Sequence, residues 1–142
     1  MKTILVGLLF TSLSAFACPD LSGTYTQCES DSNRELPAGM AVEIKMTNQN
    51  SYLITYESDA DTTTQEVVAD GVERESEITS SRFGRLKVKL TASCAQELLT
   101  VVARTRFLGL KIEETSELQL VDGMLQLERY KNGQVVESFR CK

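Results

Sequence analysis

The chain has 142 residues with 20 acidic against 15 basic side chains, a net charge of −5, and neither His nor Trp. An acidic chain lacks the basic face that phosphate binding needs, which argues against nucleic acid as a partner. The missing His removes the Ser-His-Asp triad, the commonest metal ligand and the usual proton acceptor near neutral pH, so no enzyme activity, cofactor or metal site is expected.

The N-terminus reads as a signal peptide. Lys2 supplies a positive start, residues 4–10 (ILVGLLF) form an apolar run, and Ala15-Phe16-Ala17 gives a small-x-small cleavage pattern. Residues 1–17 are therefore predicted to be removed after Ala17. Residues 18–142 remain as one domain, secreted or held in the periplasm. No later stretch is comparably uncharged, so no integral membrane segment is expected. Cys18 follows the cleavage point at once. A lipoprotein signal wants a Leu-like residue three before the cysteine and small residues after it. Ala15 and Phe16 fit an ordinary signal peptidase better, which leaves Cys18 free for a disulfide.

From there the periodicity is two. The first strand is expected near 21–28. A long connection with Pro37 leads to 40–47, where Val42, Ile44 and Met46 alternate with polar residues. The next runs are 51–58, with Tyr52, Ile54 and Tyr56 on one face, then 63–69 and 72–78. Leu86, Val88, Leu90 and Ala92 share a face of 83–93. The remaining runs are 97–106, 110–121, 124–131 and 134–141. Asp70-Gly71, Asp122-Gly123 and Asn132-Gly133 read as two-residue hairpin turns. Ala95 to Leu99 has slight helical character, opposed by Val101-Val102. Roughly ten strands joined by short turns predict an antiparallel up-and-down meander. Closure into a barrel of about nine or ten strands hides its edges. A two-sheet sandwich needs more long crossovers than this chain offers.

The cysteines are Cys18, Cys28, Cys94 and Cys141, even in number and with no C-x-x-C pair, which predicts two disulfides. Their pairing stays open. A closed meander with an even strand count puts Cys18, Cys94 and Cys141 at one end and strands Cys28 at the other. One strand fewer would bring Cys28 to Cys141 and let Cys18 reach Cys94.

Leu21-Ser22-Gly23-Thr24-Tyr25 at the first strand resembles the Gly-x-Trp opening of lipocalins and related calycin barrels, with Tyr in place of Trp. Phe139-Arg140-Cys141 resembles the last strand of small exported bacterial lipocalin-like proteins. Ala69-Asp70-Gly71 and Thr91-Ala92-Ser93-Cys94 share this look. The resemblance implies a barrel that holds a small apolar or amphipathic ligand in its lumen. The alternative it leaves is a filled barrel acting as a protein-interaction or enzyme-inhibitor module.

Several residues are candidates for such a site. Arg129 shares strand parity with Leu125 and Leu127, and Glu137 with Phe139. If the apolar residues point inward, Arg129 either pairs with Glu137 or receives a ligand carboxylate, unless both sit at the barrel rim, where parity costs nothing. Tyr25, Tyr52 and Tyr56 could line a pocket and offer hydroxyls, or simply fill the core. The stretch 58–63 (SDADTT) opens like a calcium loop but has Thr64 where that loop needs Gly, so a solvated turn is expected. Outside, Glu73, Glu75 and Glu77 are followed by Arg85, Lys87 and Lys89, then Arg104 and Arg106, then Glu113 and Glu117. Paired in order, these strands read acid, base, base, acid, and cross-strand ion pairs on a solvated face are the plain expectation. An anion- or partner-binding basic stripe is the sharper one. Leu108-Gly109-Leu110 beside Phe107 places apolar residues at a turn, as a pocket lip, a partner surface or a core plug.

Overall fold

The computed structural model describes residues 18–142. The expected leader and its cleavage site after Ala17 lie outside the described residues. One extended run carries β1 (Gly23–Tyr25) and β2 (Cys28–Ser30). After a long loop come β3 (Ala41–Asn48), β4 (Ser51–Glu57), β5 (Thr62–Val68), β6 (Arg74–Ser80) and β7 (Gly84–Ala95). Then follow β8 (Leu98–Phe107), β9 (Leu110–Val121), β10 (Met124–Lys131) and β11 (Gln134–Cys141). All join in one 11-stranded antiparallel sheet with β1 at one edge and β2 at the other.

Those two edges belong to the same stretch of chain. β1 pairs with β3, placing Tyr25 opposite Val42. β2 pairs with β11, placing Cys28 opposite Cys141. Between them the Thr26 amide donates to the Lys142 carbonyl at 2.9 Å, and the Lys142 amide donates to the Gln27 carbonyl at 3.0 Å. The sheet is thus an all-β antiparallel meander nearly closed into a barrel. The eleventh strand arises because the first run changes partner halfway along.

The disulfides are Cys18–Cys94 and Cys28–Cys141. With the split first run counted once, the strand number stays even, yet Cys28 still finds Cys141. The expectation that an even count isolates Cys28 fails because it ignored stagger. A sheet closes into a barrel only if its strands tilt and slip in register. β11 ends opposite Cys28, so the residues before Cys28 overhang that end. The overhang crosses the lower end of the barrel, where Cys18 meets the end of β7.

Side-chain alternation fills the lower half. Leu99, Leu118, Leu127 and Phe139 lie in register across β8, β9, β10 and β11, and each is 0% exposed. Opposite them, Ile44 and Ile54 pair on β3 and β4 and are also buried. Each such side chain contributes roughly 1.5–3 kcal/mol by leaving water. The overhang completes this core with Leu21, which is fully buried.

Two local expectations change. Ala95 to Leu99 holds no helical turn: Gln96 and Glu97 both take positive φ, 50° and 65°, and form a tight reversal between β7 and β8. Asp70-Gly71 is not a two-residue hairpin. The Asp70 carboxylate accepts hydrogen bonds from the Val72 amide at 3.0 Å and Arg74 at 2.6 Å. The Gly71 amide is taken by the Ala92 carbonyl of β7. These bonds take the chain from the end of β5 across to β7 before β6 begins, and β5 and β6 pair only at Thr63–Ser80 and Thr64–Thr79.

Candidate functional site

The wall changes character within one step along the strands. Two residues above the Leu99–Leu118–Leu127–Phe139 layer, the next layer in register is Val101, Ser116, Arg129 and Glu137. On the facing wall Val42, Tyr56 and Thr63 are in register, beside Gln65 one step below. Polar and branched side chains of this kind cannot interdigitate as the leucines do. A cavity of about 300 Å³ remains in the upper lumen, lined by Met40, Tyr56, Gln65, Ile78, Val101, Ala103, Glu114, Ser116, Arg129 and Glu137.

Arg129 and Glu137 are direct cross-strand partners, and the guanidinium Nη1 lies 3.0 Å from Glu137 Oε2. Both are half-buried, so the pair is screened from water more than a surface pair but is not sealed. The guanidinium also sits 5.9 Å from the centre of the Tyr56 ring, within reach of a cation–π contact. The Tyr56 hydroxyl is buried and has no hydrogen-bond partner among the described residues. Burial pushes its pKa up to about 12; Arg129 opposes that shift and Glu137 adds to it. Tyr56 is therefore a neutral donor across the physiological range.

The other two tyrosines lie elsewhere. The Tyr52 hydroxyl donates to the Pro19 carbonyl at 2.7 Å and the Tyr25 hydroxyl to the Leu21 carbonyl at 2.9 Å. The first bond ties the overhang to β4, the second lies within the overhang itself, and neither tyrosine lines the cavity. Thus Tyr56, Arg129 and Glu137 are brought together, and Tyr25 and Tyr52 are not among them.

The cavity mouth is shaped by two loops. The stretch 31–40 leans over it, with Pro37 and Met40 in the lining. The Asp59 amide donates to the Ala38 carbonyl at 2.9 Å. Gly39 has φ +70°, and a Cβ there would sit 2.1 Å from an Asp59 carboxylate oxygen, so only glycine fits this crossing. Asp61 accepts bonds from Ser80 at 2.8 Å, Ser81 at 2.7 Å and the Arg82 amide at 3.0 Å. The 58–63 turn is therefore tied to the β6–β7 tip. Glu114 and Ser116 were not singled out from the sequence, although a signal existed. On β9, Ile112, Glu114, Ser116 and Leu118 share one parity, and polar residues there mark where the lumen stops being a packed core.

On the outer wall Glu75, Lys89, Arg104 and Glu113 stand in register, as the acid, base, base, acid pattern predicts. Arg104 lies 2.8 Å from both Glu73 and Glu113. β7 and β8 stay paired only as far as Lys89–Arg104. Above that point the two hairpins separate and leave an open cleft of about 980 Å³ between charged walls.

Fold and site together define a nearly closed all-β antiparallel barrel, consistent with a lipocalin-like fold, with a packed lower half and a small polar cavity above it. Comparison with protein-family models and with curated proteins finds no match for this chain.

Proposed function

We propose that this is an exported binding protein that holds one small amphipathic molecule in its upper cavity and performs no covalent chemistry on it. The observation that carries this reading is Tyr56, which lines the cavity with the Arg129–Glu137 pair while its hydroxyl, buried just behind that lining, lacks a partner among the described residues. A buried donor left unmade is costly, so it is a place where a ligand acceptor gains most. Export is supported by the pairing of all four cysteines in disulfides, which persist in oxidising compartments. Among the described residues no helix is long and apolar enough to cross a membrane.

The lining also narrows the ligand. Arg129 is already answered by Glu137, and Glu57, Asp61 and Glu114 add further acid around the cavity. A ligand carboxylate would meet more negative than positive charge. A neutral head group, or a cationic one that also presents an acceptor, fits better. The volume lies at the small end of the usual range for ligand sites, roughly 300–1,000 Å³, which favours a short apolar tail.

Native mass spectrometry of protein from its own host should show a small co-bound molecule. Titration with short alkyl alcohols, amino alcohols and alkanoic acids should rank the acids last. Tyr56→Phe should weaken the best binder about tenfold. A protein that stays empty and binds none of these series would overturn the reading. The competing view, a filled barrel acting on a protein partner, draws support only from the packed lower half.

A further inference from the structure

The hairpin tips of β6–β7 and β8–β9 share a sequence pattern that the lumen does not explain. Residues 81–87 read SRFGRLK and residues 105–111 read TRFLGLK. Each has a hydroxyl residue, Arg-Phe, a turn glycine and then Leu-Lys. Neither contains an acid, although acids outnumber bases in the chain by 20 to 15. Both tips project from the upper end of the barrel, because the antiparallel order returns β6 and β8 to the same level.

The apolar side chains there are unusually open. Phe83 is 67% exposed, Phe107 63%, Leu110 70% and Leu108 88%. Leu108 is the sharpest case. It takes φ 50° in a two-residue turn with Gly109. The equivalent turns use Asp122-Gly123 and Asn132-Gly133, with φ 51° and 49° at the first position. Asp and Asn tolerate this conformation through local side-chain hydrogen bonds, which leucine cannot make. Leu108 therefore breaks the turn's chemistry at the most solvent-exposed point of the hairpin and gains no packing for it.

The charges complete the picture. Lys87, Arg106 and Lys111 have no carboxylate within ion-pair distance among the described residues, whereas Arg104 and Lys89 below them are answered by Glu73. Arg82 lies over its neighbouring Phe83 ring at 5.1 Å. Aromatic and aliphatic tips flanked by long cationic side chains match the two layers of an anionic lipid surface. The apolar groups enter the acyl boundary, and the cations stay at the phosphates on flexible stems.

We propose that the two tips form a membrane-surface anchor, in which Phe83, Phe107, Leu108 and Leu110 insert into an anionic bilayer interface and Lys87, Arg106 and Lys111 bind its phosphate head groups. The acidic body of the chain would be repelled by the same surface, which orients the barrel with these tips downward. The inference is independent of the ligand reading, because Tyr56 and the lumen take no part in it.

The test is co-sedimentation of the disulfide-intact chain 18–142 with vesicles. Phosphatidylcholine vesicles should retain little protein. Vesicles of equal parts phosphatidylcholine and phosphatidylglycerol should retain much more at low salt, and less as salt is raised. Lys87→Gln, Arg106→Gln and Lys111→Gln should each weaken binding about fivefold. Leu108→Asn should weaken it about tenfold while raising the thermal midpoint, since it restores the preferred turn residue; a loss of binding in that variant cannot then be unfolding. Tyr56→Phe should leave vesicle binding unchanged. No retention on phosphatidylglycerol vesicles would overturn the proposal. So would retention insensitive to the tip substitutions, or a stable dimer that buries Leu108 and ignores vesicles.

Discussion

Tyr52 and Tyr56 stand four residues apart on one face of β4, yet they live in opposite ends of the barrel. Tyr52 is fully buried, and its hydroxyl is held by Pro19 of the overhang. Tyr56 is buried at its hydroxyl and holds nothing. Around Tyr52 stand its cross-strand neighbours Met46 and Val67 and the Cys18–Cys94 disulfide. Around Tyr56 it is Arg129, Glu137, Gln65 and Glu114. The same residue type on the same strand face is thus tied below and left untied above, among the described residues. The difference shows that the polar satisfaction of a side chain, more than its identity or parity, separates core from site in a small barrel.

The comparison can be broken hardest at the lower end. Cys18–Cys94 closes a separation of 76 residues and Cys28–Cys141 one of 113. Loop-closure entropy makes each bridge worth about 4 kcal/mol, enough to threaten a domain of this size. Cys18→Ser with Cys94→Ser should release the overhang. Urea titration should show that loss, and hydrogen exchange should rise around Pro19 to Leu21 while β9 and β10 stay protected. A loss below about 1 kcal/mol would mean that the overhang contributes little to the packed half.

Next in size is the paired tyrosine experiment. Tyr52→Phe strands the Pro19 carbonyl and should cost about 1–2 kcal/mol. Tyr56→Phe removes a hydroxyl that has no partner and should be neutral, or stabilising by up to ~1 kcal/mol. Denaturant unfolding of the two single variants measures both. Equal losses would erase the distinction between the ends.

Much of this was legible in the residues. Period-two alternation located every strand from Ala41 onward to within a few positions, because each strand has one buried face. Parity with Leu125 and Phe139 offered the Arg129–Glu137 pair as one alternative beside a ligand carboxylate on Arg129. Two things were not legible. Stagger is a property of closure, set by all strands at once, so the observed pairing of Cys28 with Cys141 and Cys18 with Cys94 stood in the sequence only as an open alternative, tied to one strand fewer. The departure of β6 from β5 depends on Arg74 reaching Asp70 and on Gly71 reaching Ala92, contacts between residues that alternation treats as independent. The tyrosines were undivided for a similar reason. Tyr25, Tyr52 and Tyr56 look alike until the overhang supplies two of them with carbonyls.

The gentlest way to sharpen the comparison is acid read at Asp61, because that carboxylate serves the upper end. Asp61 ties the 58–63 turn to the β6–β7 tip. The Ser81 hydroxyl holds its carboxyl well below the ordinary value of 3.8, at about 2, helped by the Ser80 hydroxyl and the Arg82 amide. A depressed folded pKa means that the unfolded chain takes up the proton first. The tie is therefore fully present above about pH 4 and is lost as pH falls through about 2. Thermal unfolding of the parent and of Asp61→Asn, followed over that window, should show the parent's advantage shrink and vanish. Hydrogen exchange should report a difference between parent and variant at Ser80 to Arg82 and none at the Tyr52 end, where Asp70 and Asp20 titrate alike in both proteins. An advantage that persists below pH 2 would assign the tie to the shape of the turn, since the charge on Asp61 is gone by then.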